Sequence, residues 1–99
     1  GYYVYNLFAT GPSSSSTAYN DEMDQIFASF KAQGVTDLII DLRYNSGGAE
    51  SATRNLASLI GKEVGSSKIF SKRQYNADVE KAIKEDPTLG PNFLLVKFT

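Results

Sequence analysis

The chain has 99 residues, 41% of them apolar and 21% charged, with a formal net charge of −1. That is one domain's worth of ordinary globular sequence, and the near-neutral charge argues against electrostatic binding to nucleic acid or an anionic membrane. With no cysteine and no histidine, these residues hold no disulfide, no thiol nucleophile, no Ser-His-Asp triad and no His-ligated metal, and no apolar run reaches the ~18 residues of a membrane-spanning helix.

In chain order, Gly1 to Phe8 reads as a strand rich in Tyr, Val and Phe, apolar on both faces as in a covered strand. Ala9 to Tyr19 reads as a loop, with Gly11, Pro12 and the serine run Ser13–Ser16 solvated rather than chemical. Asn20 is a candidate N-cap. The helix after it carries Met23, Ile26, Phe27 and Phe30 at i, i+3, i+4, i+7, a core stripe, and Gly34 ends it. Thr36 to Leu42 is the second strand. Strand, helix, strand predicts a right-handed crossover and a parallel pair. A second helix is expected from about Glu50 to Ile60, with Ala52, Leu56, Leu59 and Ile60 toward the sheet and Gly61 closing it. Ser67 to Tyr75 reads as a third strand in the same sheet. Asn76 caps a short helix from Ala77 to Glu85, which Asp86-Pro87 stops. Phe93 to Phe98 is a last strand. The fold class is α/β with a mostly parallel sheet and flanking helices, read as a single domain over 1–99. The closing strand so near the chain end gives the expectation of a piece of a longer protein.

The chemistry concentrates between the second strand and the second helix, at Asp41-Leu42-Arg43-Tyr44-Asn45-Ser46-Gly47-Gly48. Loops at the carboxyl ends of parallel strands are where α/β folds bind ligands. Two adjacent glycines let backbone N–H groups approach a ligand, and such amides before a helix can hold an anion or a developing oxyanion. Gly47 and Gly48 are therefore candidate oxyanion donors, or else simply turn formers. Asp41 is either a base or, with Arg43, a support for the turn. A carboxylate beside a guanidinium has a lowered pKa and is a poor base at neutral pH. Asn45 suits a left-handed turn position. Ser46 lies on the turn but lacks the Gly-x-Ser-x-Gly context and any histidine. The Walker pattern is absent, since Gly61-Lys62 is followed by Glu63. Lysines 31, 62, 68, 72, 81, 84 and 97 are expected at exposed positions, where none suits a Ser–Lys dyad.

This octapeptide resembles the Asp-Leu-Arg-x-Asn-x-Gly-Gly signature of carboxyl-terminal processing, or tail-specific, proteases. Gly1 to Phe8 resembles the first core strand of that family, and Phe70-Ser71-Lys72-Arg73-Gln74-Tyr75-Asn76 a later segment of its bacterial envelope members. The resemblance implies a partial crotonase/ClpP-like core and a serine endopeptidase acting on peptide or protein substrates without a cofactor or metal. It also implies a cell-envelope, periplasmic or secreted location, with a possible PDZ domain upstream. The oxyanion role falls on Gly47, with Gly48 keeping the turn open and Asp41, Arg43 and Asn45 supporting it. The serine nucleophile and lysine base belong to segments expected beyond Thr99. The alternatives are a non-catalytic module on the same fold that binds hydrophobic ligands or peptides, and an acyl-thioester enzyme of the wider crotonase-like fold.

Overall fold

The computed structural model describes residues 1–13 and 15–99, so the serine-run reading is met only in part, Ser14 lying outside the described residues. The chain is mixed α/β with three helices and four short strands, and it forms two compact units, Gly1–Ile60 and Gly61–Thr99.

In the first unit, strand β1 (Tyr2–Val4) pairs in parallel with β2 (Ile39–Asp41), in the register Tyr2 to Ile39, Tyr3 to Ile40 and Val4 to Asp41. Helix α1 (Ala18–Ala32) connects the two strands, and α2 (Glu50–Ile60) follows β2. The alternation of a strand puts Tyr3 and Tyr5 on one face. There the rings of Phe8, Tyr5, Tyr3, Phe27 and Phe30 touch in succession, their centroids 5.2–5.7 Å apart. Most of these pairs meet edge to face, the arrangement favoured by ring quadrupoles. Met23 of α1 and Ala52 and Leu56 of α2 are the buried apolar centre. The Asn55 amide joins the two helices by donating to Asp24 Oδ1 at 3.0 Å.

Three local expectations change here. Tyr2, Val4 and Ile39 form an exposed face, so β1 is covered on one side only. Ile60 is exposed as well. Helix α1 begins at Ala18 with Thr17, not Asn20, at its N-cap position. Its first amides are satisfied from elsewhere: the Thr10 carbonyl accepts from Tyr19 and Asn20, and Ser16 Oγ accepts from Ala18. That tertiary capping replaces the side-chain cap the sequence offered, and it leaves Asn20 Oδ1 buried without a partner among the described residues. At the other end Gly34, at φ +71°, stops α1 as expected.

In the second unit, β3 (Ile69–Lys72) pairs antiparallel with β4 (Leu95–Lys97). The expected single, mostly parallel sheet is therefore corrected: each unit has a two-stranded sheet, one parallel and one antiparallel. The reversal lies after α3 (Ala77–Glu85). Gly90 takes φ +66°, and a 3₁₀ turn over Pro91–Leu94 brings the chain back alongside β3. Arg73 fixes this return. Its N–H donates to Leu94 O at 2.7 Å, and its guanidinium donates to Phe93 O at 2.7 Å and lies over the Phe93 ring. Val96 and Ile83 are the buried apolar residues of this unit. Asn76 caps α3 by accepting from the Val79 N–H at 2.9 Å.

Candidate functional site

Beyond Val4 the first segment keeps company with the motif. Tyr5 N–H donates to Asp41 O at 3.1 Å, and the Asn45 amide Nδ2 donates to Tyr5 O at 2.9 Å. Phe8 N–H donates to Gly47 O at 3.0 Å, and Ala49 N–H donates to Phe8 O at 2.6 Å. Residues 1–8 thus form a backbone template along which the strand end and the glycine turn are laid.

Asp41 is buried, 9% exposed, and its carboxylate is saturated. Oδ1 accepts from the Arg43 backbone N–H at 3.1 Å and from Arg43 Nε at 3.0 Å, and Oδ2 accepts from Arg43 Nη2 at 2.9 Å and from the Tyr2 hydroxyl. The Arg43 guanidinium, then the Tyr2 hydroxyl, hold this carboxyl well below the usual carboxylate range. The same hydrogen bond to Asp41, with desolvation, raises the Tyr2 phenol above its ordinary value and keeps it a donor. Saturated by donors and ionised at neutral pH, Asp41 is a poor base.

Asn45 is not left-handed. Among the described non-glycine residues only Glu63 has positive φ, and in this turn the positive angles fall on Gly47, at +106°, and Gly48, at +139°. Asn45 contributes its side chain instead, Oδ1 accepting the Gly47 N–H at 2.8 Å. Gly47 and Gly48 differ in what they tolerate. A Cβ on Gly47 meets no atom within 4 Å, whereas a Cβ on Gly48 lands inside van der Waals contact of the Phe8 carbonyl.

The two glycine amides also differ. Gly47 N–H is occupied by Asn45. In a planar trans peptide the carbonyl and the following N–H point opposite ways. The Gly47 carbonyl is held by Phe8, so the Gly48 N–H points away from Phe8. Gly48 is exposed, and its N–H finds no acceptor among the described residues. Of its two glycine amides, the turn therefore leaves the Gly48 N–H open at the approach to α2. Ser46 is exposed, and all seven lysines are exposed. Among the described residues, no group of acidic residues could hold a metal ion, and no helix is long and apolar enough to cross a membrane.

The structure thus brings Asp41 and Arg43 together as a pair and sends Asn45 to the glycine turn. Sequence reasoning missed Tyr2 and the backbones of Tyr5 and Phe8. Their part depends on the β1–β2 register, for which the residues of β1 carry no local signal.

The strand-end turn thus has an open amide and, beside it, a buried aspartate paired with an exposed arginine. The chain matches Peptidase family S41 over residues 1–98 and belongs to that family of peptidases. No curated protein and no solved structure matches it.

Proposed function

We propose that this chain supplies the oxyanion side of a serine endopeptidase of the carboxyl-terminal processing type. The observation that carries the reading is the Gly48 N–H, free of any acceptor among the described residues and aimed away from the β1 segment. A donor fixed in this way needs no reorganisation when negative charge develops on a scissile carbonyl oxygen, and one such donor is worth roughly 3–4 kcal/mol. Gly47 supports it by turning the chain, and Asp41 and Arg43 hold the strand end. The serine nucleophile and lysine base are assigned to segments outside these 99 residues, in keeping with the exposure of every lysine here. Substrates are peptides or proteins, and the β1–β2 pair with α1 and α2 is taken as part of a crotonase/ClpP-like core. An envelope or secreted location and a PDZ domain upstream belong to the same reading.

The test is acylation. The peptidase that contains this chain should hydrolyse a peptide and show a burst of acyl-enzyme on an activated ester. The 99-residue chain alone should stay unlabelled by a fluorophosphonate. Labelling at Ser46 would move the nucleophile into this turn. A full peptidase with neither burst nor labelling would be a binding module, with the exposed Tyr2, Val4 and Ile39 face as its apolar surface.

A further inference from the structure

We infer that Asn45 is a positioning residue that selects which amide of the glycine turn is offered to the reacting oxygen; this rests on the oxyanion reading above. Its carboxamide makes two bonds of opposite sense. Oδ1 accepts from the Gly47 N–H at 2.8 Å, and Nδ2 donates a hydrogen bond to Tyr5 O at 2.9 Å, forty residues away in sequence. The first bond removes Gly47 N–H from competition for an anion. The second ties the turn to the β1 segment beside Phe8, whose N–H holds the Gly47 carbonyl. Two successive glycines at positive φ have wide conformational freedom. Without the Asn45 ties, the Ser46–Gly47 peptide loses the acceptor that holds its N–H, and the Gly47 N–H can face the ligand as well as the Gly48 N–H. Asn suits the task because it carries a donor and an acceptor on one short, uncharged side chain. Alanine offers neither. An ionised aspartate offers only the acceptor and sets its charge against the Tyr5 carbonyl, and a protonated one recovers both bonds.

The titratable and charged groups nearest Asn45 along the chain and on its bonded neighbours are Asp41, Arg43, Tyr44, Glu50 and Tyr5. Asp41 is held ionised by Arg43 to well below the usual range, and burial raises the Tyr5 phenol. Glu50 is exposed at the start of α2 and is replaced by Gln in the test background.

The experiment has two readouts. Amide exchange by NMR on the labelled 99-residue chain should show Gly47 exchanging about tenfold more slowly than Gly48, a difference lost in Asn45→Ala. Equal exchange in the wild type, or protection unchanged in Asn45→Ala, overturns the proposal whatever the peptidase does. In the peptidase, Asn45→Ala should lower kcat about tenfold with KM little changed. Asn45→Asp should show the same loss at pH 7 and recover as the pH falls toward about 4, where a carboxyl protonates. A flat pH profile of Asn45→Asp relative to wild type contradicts the role of the Tyr5 bond. If the wild-type peptidase hydrolyses nothing, the oxyanion reading fails, and the exchange measurement still decides whether Asn45 selects the amide.

Discussion

Gly48 accepts no side chain, because a Cβ there strikes the Phe8 carbonyl, while Gly47 has open space but a φ of +106°. Gly47→Ala should therefore cost about 1–2 kcal/mol of backbone strain. Gly48→Ala should cost on the order of 3 kcal/mol or more, since a backbone atom has to give way. Urea unfolding of the two variants checks the order, and equal losses would mean that the Phe8 contact is not what demands glycine. Asp41 gives a pH dependence of known sign. Its folded pKa lies below the ordinary one, so its contribution is complete above about pH 4 and is lost as the pH falls below that value. Thermal unfolding should show a fall in Tm below pH 4 that shrinks in Asp41→Asn. The Asp41–Arg43 pair was legible because both partners lie two residues apart on one side of a strand end. The part of Asn45 was not, because its partner Tyr5 is set by strand register and not by neighbours in sequence.

The helices show where local signals suffice. α2 and α3 occupy the spans their periodicity and caps predict, Glu50–Ile60 and Ala77–Glu85. α1 begins two residues before its best capping side chain, because a carbonyl from the preceding loop does the capping, and that contact has no sequence pattern. The strands came out shorter than their apolar runs. Tyr5 to Phe8 continues alongside the motif through single bonds to Asp41, Asn45 and Gly47 rather than as a regular ladder. Packing of α1 on α2 centres on Met23, 1% exposed. Met23→Ala should destabilise the first unit by about 2–5 kcal/mol through lost burial and the cavity left behind. Chemical denaturation followed by tyrosine fluorescence reads this directly, and a loss below about 1 kcal/mol would place the core elsewhere.

At the scale of the whole chain, the α/β class was readable from the alternation of elements, but the partner of β3 was not. Both a crossover to the first sheet and a return by β4 are consistent with the apolar pattern of Ile69 and Phe70. The choice is made by the Gly90 turn and the Arg73 bonds to Phe93 and Leu94. The site, in contrast, was legible as a place, because strand end, charged pair and double glycine occupy eight consecutive residues. Which glycine amide remains open emerges only once Phe8 and Asn45 are placed. Chemical ligation allows that amide to be deleted without adding a side chain, by replacing the Gly48 N–H with an ester oxygen in the assembled peptidase. The prediction is a fall in kcat of roughly 10²–10³ for the ester at Gly48, against no more than about tenfold for the matching ester at Gly47. An unchanged kcat with the Gly48 ester in a properly folded enzyme would contradict the assignment of the oxyanion to this turn.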